Sequence, residues 1–182
     1  MEFVQPIREK EINEQVKNEL LKQGYRDYLI FVAGINTGLR ISDLLELKVS
    51  GIRDKTHISI REEKMGKSKR FFINESLQNA FKGFIFNMDD TEYLFQSREG
   101  KNKSLTRFTA YRIINQACRN VGIKDCTGMH TLRKTFGYHH YQQFKDFAIL
   151  QDIFNHSAPS VTLRHVGIND DYIDRISANF GL

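Results

Sequence analysis

Two cysteines and two prolines are all that this 182-residue chain holds of either type, and tryptophan is absent. Cys118 and Cys126 form no CxxC pair and have no second cluster beside them, so neither a zinc site nor a disulfide framework is indicated. Both read as reduced bystanders. With Pro6 and Pro159 as the only prolines, and with no repeat or low-complexity tract, nothing marks an internal linker and the chain reads as one unit. No apolar run approaches the roughly 20 residues needed to cross a bilayer. The acidic, helix-like N-terminus also lacks the basic-then-apolar profile of a signal peptide. These absences lead to the expectation of a cytoplasmic protein with no membrane partner.

What is present is an ordinary globular balance, 40% hydrophobic and 27% charged residues, enough for one domain with its own core. The net charge of +5 is compatible with a polyanionic partner but does not require one. Its distribution says more. Lys64, Lys67, Lys69 and Arg70 crowd one short segment, and Arg107, Arg112 and Arg119 form a second group. A solvated basic face would look the same at this level.

Periodicity suggests the elements. Residues 9–23 carry Ile12, Val16, Glu19 and Leu20 on one stripe, with Gly24 as a stop. Residues 26–37 are too apolar for a surface helix and read as a core helix ending at the Thr37-Gly38 break. A further helix is expected from Ser42, capped by its hydroxyl and carrying Leu44, Leu45 and Leu47. Alternation at 57–60 and 71–73, around a Lys-rich loop with Gly66, predicts a β-hairpin, and 93–96 reads as a third short strand. Helical patterning returns from Thr106, with Ala110, Ile114, Ala117, Cys118 and Val121 on one face and Gly122 at the end. Helices then follow over 130–144, 148–155 and 159–166. The fold class expected is mainly α with a small antiparallel β-sheet, an α+β arrangement.

Four short boxes stand in order along this pattern: Thr37-Gly38-Leu39-Arg40, Glu63-Lys64-Met65-Gly66-Lys67, His130-Thr131-Leu132-Arg133 and Asn155-His156-Ser157. Each alone could arise by chance, and Arg40, His130 or His156 taken singly reads as a surface arginine or a satisfied core histidine. Jointly, in this order, spacing and context, they resemble the tyrosine recombinase (phage integrase) family, from about residue 12 to the C-terminus. The resemblance implies the catalytic-domain fold of that family and metal-independent, cofactor-free cleavage and rejoining of double-stranded DNA through a covalent 3′-phosphoprotein intermediate, in the setting of phage or other mobile-element integration.

The chemistry explains the residue types. A pentacoordinate phosphorus spreads negative charge over its non-bridging oxygens, and fixed cationic donors can meet it. By resemblance Arg40 and Arg133 form that clamp; a guanidinium stays charged and can hold two oxygens at once. Lys64 occupies the place of the family's mobile lysine, suited to protonating the departing 5′ oxygen. Lys67 and Lys69 rival it for that role, and with Arg70 they are otherwise DNA phosphate contacts. His130 would transfer a proton or bind phosphate, and His156 would donate a hydrogen bond to the scissile phosphate. Asp43, three residues after Arg40, orients a guanidinium or plays a plain surface or capping part.

One position departs from the pattern. The family's tyrosine nucleophile follows the phosphate-contacting histidine by nine residues, and nine residues after His156 stands His165, in otherwise matching context. Three readings stay open. The change inactivates cleavage and leaves a DNA-binding fold. Tyr172 serves instead, at a displacement of about two helical turns, roughly 10 Å. Or the imidazole attacks phosphorus itself, giving a linkage that hydrolyses more readily.

Members of the family usually carry a separate N-terminal core-binding domain, so 1–182 reads as a single catalytic domain without it, with weak, salt-sensitive DNA affinity. A tetramer on DNA is expected of the full-length parent, and a monomer is compatible with the isolated domain. The tail with Tyr172, Ile173, Ile176 and Phe180 packs either on its own core or on a neighbouring protomer. The alternative function is a non-catalytic DNA-binding accessory protein. A helix-turn-helix regulator explains neither the hairpin lysines nor the His130–Arg133 box.

Overall fold

A computed structural model describes residues 4–61, 68–123, 128, 130–167, 174–175 and 177–180. Eight α-helices and one hairpin are described, in the order α1 (Lys10–Gln23), α2 (Tyr25–Thr37), α3 (Ile41–Leu45), β1 (His57–Arg61), β2 (Ser68–Phe72), α4 (Glu75–Phe84), α5 (Arg107–Asn120), α6 (Thr131–Phe144), α7 (Phe147–Phe154) and α8 (Pro159–Val166). The strands pair antiparallel, with Ile58 opposite Phe71 and Ile60 opposite Lys69. The fold is therefore mostly helical with a small antiparallel sheet, as the periodicities indicate.

The apolar run of α2 explains the centre of the molecule. Leu29, Ile30, Phe31 and Ala33 are almost wholly buried, and the helix packs against α1, α3, α4, α5 and α6. A helix apolar all round can only be stable when surrounded in this way. It ends where Gly38 takes a left-handed φ of 67°, its N–H donating to the Gly34 carbonyl, and the Thr37 hydroxyl donates to the Ala33 carbonyl at 2.7 Å. That stop turns the chain so that Arg40 stands at the N-terminus of α3.

A second, smaller core joins the last three helices through Tyr141, Leu150, Phe154 and Val166. Helix α6 lies between the two cores and is apolar on no single face. At about 100° per residue, Arg133, Phe136, Gly137 and His140 fall on one side and Lys134, Thr135, Tyr138 and His139 on the other. The second side is covered by the segment before α1: Ile7 N–H donates to the Thr135 hydroxyl at 2.9 Å, and Lys134 Nζ donates to the Val4 carbonyl at 2.7 Å.

Two local expectations change, and one element is added. Ser42 does not cap α3; Arg40 occupies the cap position, no side chain caps it, and Ser42 lies one residue inside the helix. Residues 93–96 form no strand but two isolated bridges, Lys48 with Tyr93 and Gln96 with Ser104, because buried Leu94 and Phe95 run through the core as a connection. Helix α4 was not foreseen. Asn74 starts it by accepting from Leu77 N–H at 2.9 Å, and only Leu77 and Phe81 are buried, a stripe too sparse to stand out.

Gly137 sits where α6 meets α7 and α8, and a β-carbon there would collide with Val166 Cγ1 and stand 2.8 Å from Phe154 Cζ. Gly137→Ala is expected to destabilise the fold by about 1–3 kcal/mol through overpacking. Its urea midpoint should fall relative to Gly83→Ala, where nothing lies within 4 Å; equal midpoints would refute the close packing.

Candidate active site

Arg133 is 4% exposed, a buried cation on the first turn of α6. Its guanidinium donates to the Gly38 carbonyl at 2.5 Å and to the Phe154 carbonyl at 2.9 Å, and it lies 4.3 Å over the Phe154 ring. Those two carbonyls terminate α2 and α7. One side chain thus ties the turn that presents Arg40 to the turn that presents His156.

Around this centre the described candidates gather. His130 is the residue just before α6, exposed at the rim. His165 on α8 has its ring centroid 6.0 Å from that of His130, 5.0 Å from that of His156 and 5.2 Å from the Phe154 ring. His156 Nδ1 lies 3.0 Å from the Thr162 hydroxyl. Arg40 is half exposed and pairs loosely with Asp43 at 3.8 Å. Lys69 reaches over from β2 and donates to the Asp152 carbonyl at 2.5 Å, near the end of α7.

Strand alternation separates the remaining hairpin residues. Arg70, next to Lys69, turns to the other side, with Nη2 3.1 Å from His57 Nδ1, and is not brought into the cluster. Lys64 and Lys67 lie outside the described residues, as do Cys126 and Tyr172. Cys118 is buried in the main core, and burial pushes its thiol up to about 12. In the tail, Phe180 is 70% exposed, while Tyr172, Ile173 and Ile176 fall outside the described residues. Arg107, Arg112 and Arg119 are exposed on α5.

The electrostatics follow from the geometry. Partial loss of water around the ring, then Arg133, Lys134 and Arg40, lower the His130 pKa; burial, then Arg133, Arg40 and Lys69, lower that of His156. His165 is affected most, lowered to about 3 by burial first and then by His156, Arg133, Lys134 and His130. Its Nε2 is buried with no hydrogen-bond partner among the described residues. Among the described residues, the charges acting on these rings are positive. At neutral pH the cluster therefore holds neutral imidazoles among fixed cations, an environment that an oxyanion would relieve.

Three contributors escape sequence reading. Phe154 supplies both a carbonyl and a ring face to Arg133, Thr162 meets His156, and Lys134 is a buried cation behind the cluster. The only local trace is adjacency: Lys134 follows Arg133 and Phe154 precedes Asn155-His156.

The model of the phage integrase family matches residues 3–170. The chain is 46% identical to a probable integrase/recombinase, YoeC, of Bacillus subtilis (strain 168), over 94% of this chain and 93% of that one. It is 32% identical to the tyrosine recombinase XerA of Pyrococcus furiosus, over 86% of this chain and 54% of that one. A crystal structure of XerA recombinase superposes with a TM-score of 0.77 at 22% identity, over 98% of this chain and 64% of that one. The catalytic domain of bacteriophage HP1 integrase superposes with a TM-score of 0.68 at 20% identity, over 91% and 88%. The chain thus spans nearly all of YoeC but about half to two thirds of the XerA proteins.

A histidine held neutral when folded titrates near 6.5 when unfolded. Between about pH 6.5 and 3 the unfolded chain then binds more protons at residue 165, so the stabilisation is complete above pH 6.5 and is lost as pH falls. One such site gives a slope of at most about 1.4 kcal/mol per pH unit. Urea midpoints from pH 7.5 to 4.5 should therefore fall more steeply for the unmodified chain than for His165→Tyr; parallel profiles would contradict the burial of the imidazole.

Proposed function

The chain belongs to the phage integrase family of tyrosine recombinases, and from that premise we propose that it is a DNA strand-transfer catalytic domain that seats a scissile phosphate of double-stranded DNA in the cluster around Arg133. The observation that carries the reading is the convergence of Arg40, His130, Arg133, His156 and His165 from four separate segments on one cationic cluster. No single element of the fold requires that meeting.

In this reading Arg40 and Arg133 stabilise the charge that builds on the phosphoryl oxygens. Arg40, half exposed, meets phosphate directly. Arg133 contributes its fixed charge and, through the Gly38 and Phe154 carbonyls, the placement of the others. A neutral His156 that accepts the Thr162 hydroxyl proton at Nδ1 carries its own proton on Nε2, the form needed to donate to phosphate. His130 relays a proton at the rim. Lys64 protonates the departing 5′ oxygen, and Lys67, Lys69 and Arg70 contact flanking phosphates.

His165 occupies the nucleophile position without a phenol. The 3′-phosphotyrosine link cannot form there, so the chain as it stands binds DNA and is defective in cleavage. The burial of His165 Nε2 supports this over attack by the imidazole. It also favours the second reading, a DNA-binding accessory protein derived from an integrase. Residues 1–182 then constitute one catalytic domain, and any tetramer forms on DNA. Two neighbours in the fold, XerH bound to difH and a lambda integrase tetramer on a Holliday junction, are DNA complexes.

A nicked suicide duplex tests the proposal. The unmodified chain should yield no covalent adduct on a denaturing gel, whereas His165→Tyr should yield a 3′-linked adduct. Adding Arg40→Lys to that variant should lower the cleavage rate by roughly 10²-fold, since a lysine does not replace the planar fork. Adducts from the unmodified chain at the variant's yield, or none from a variant that still binds DNA, would overturn it.

A further inference from the structure

The segment before α1 is tied to one face of α6 by a run of polar contacts. Lys134 Nζ donates to the Val4 carbonyl, the Thr135 hydroxyl accepts from Ile7 N–H, and His139 Nε2 lies 3.0 Å from the Ile7 carbonyl. Asn13 Nδ2 donates to that same carbonyl at 3.3 Å. Val4 packs over Gly128, just before His130. The backbone groups of this irregular segment thus find partners on α6 and on Asn13 of α1.

At the far end of this strap, Arg8 crosses from α6 to α8. Its guanidinium carbon stands 5.6 Å over the Tyr138 ring, and Nη2 donates to the Gly167 carbonyl at 3.1 Å. Gly167 caps α8 in a left-handed conformation, φ 69°, two residues beyond His165. The helix has only eight residues, of which Thr162 and Val166 are buried. A cation on the terminal carbonyl of so short a helix satisfies an orphan acceptor and opposes the negative end of its dipole.

We propose that Arg8 is a positioning residue for position 165, holding the C-terminus of α8 against α6 so that the side chain there faces His156 and His130. The inference rests on the strand-transfer reading only for its catalytic consequence; the structural clamp stands apart from it. Arg8 acts on position 165 through the Gly167 carbonyl. Loosening the contact lets α8 rotate or fray at its last turn, which moves residue 165 while leaving Arg40 and Arg133 in place.

Two measurements test this. In the unmodified chain, the titration of the His165 ring, followed by NMR, should move from about 3 towards the ordinary histidine value in Arg8→Ala, because burial and the surrounding His156, Arg133, Lys134 and His130 would no longer act at full strength. In the His165→Tyr background, Arg8→Ala should slow adduct formation on the suicide duplex by roughly 10- to 100-fold with DNA affinity unchanged. Arg8→Lys should restore part of both. Should Arg8→Ala fail to fold, Arg8→Gln carries the same measurements. A His165 titration equal to the parent's, or a rate loss matched by an equal loss of DNA affinity, would overturn the clamp. If His165→Tyr forms no adduct at all, the strand-transfer reading falls and the titration alone decides the clamp.

Discussion

The burial of the Arg133 guanidinium is the constraint on which the rest of the site depends. A buried cation is costly unless its donors are satisfied. Here two of its donors are met by main-chain carbonyls that lie 95 and 21 residues away in the chain. Each marks the end of a helix, where carbonyls have lost their intrahelical partners. The same bonds therefore close α2 and α7, stabilise the charge and set the separation between the turns carrying Arg40 and His156. The aromatic face of Phe154 beneath the guanidinium adds a contact that a lysine would use less well.

From that arrangement the electrostatics of the neighbourhood follow. Gathering Arg40, Lys69, Arg133 and Lys134 near three imidazoles raises the cost of protonating any of them, and burial adds most to that cost at His165. Concentrating positive charge costs the free protein stability. An anion entering the cluster would offset that cost, which is how a binding site can be prepared before its ligand arrives. A tyrosine at 165 would meet the same field in the opposite sense, since nearby cations favour a phenolate. The histidine at this position meets a field that suppresses its own protonation.

The helices after residue 130 show how little of this is local. Helix α6 has no apolar face because it is used on both sides, by the cluster around Arg133 and by residues 4–8. A pattern reader sees a mixed helix; the packing shows two interfaces. Lys69 and Arg70 illustrate the same point in the hairpin. Their sequence context is equivalent, yet the pleat sends one towards α7 and the other to His57.

The sequence by itself determined the fold class, most helix positions and the order of the four boxes, because periodicity, glycine stops and short motifs are properties of neighbouring residues. It also marked position 165, since a nine-residue count along one segment needs no folding. It did not determine α4, whose buried stripe is only two residues, nor the buried connection over 93–96, whose alternation resembled a strand. Only the tertiary structure decided that Arg133 is a buried tie between helix ends, that Thr162 and Phe154 complete the cluster, and that Arg8 reaches the cap of α8. The physical reason is common to all three: each depends on partners far apart in the chain or on the direction a side chain takes from its element, and neither is written in a local pattern of residues.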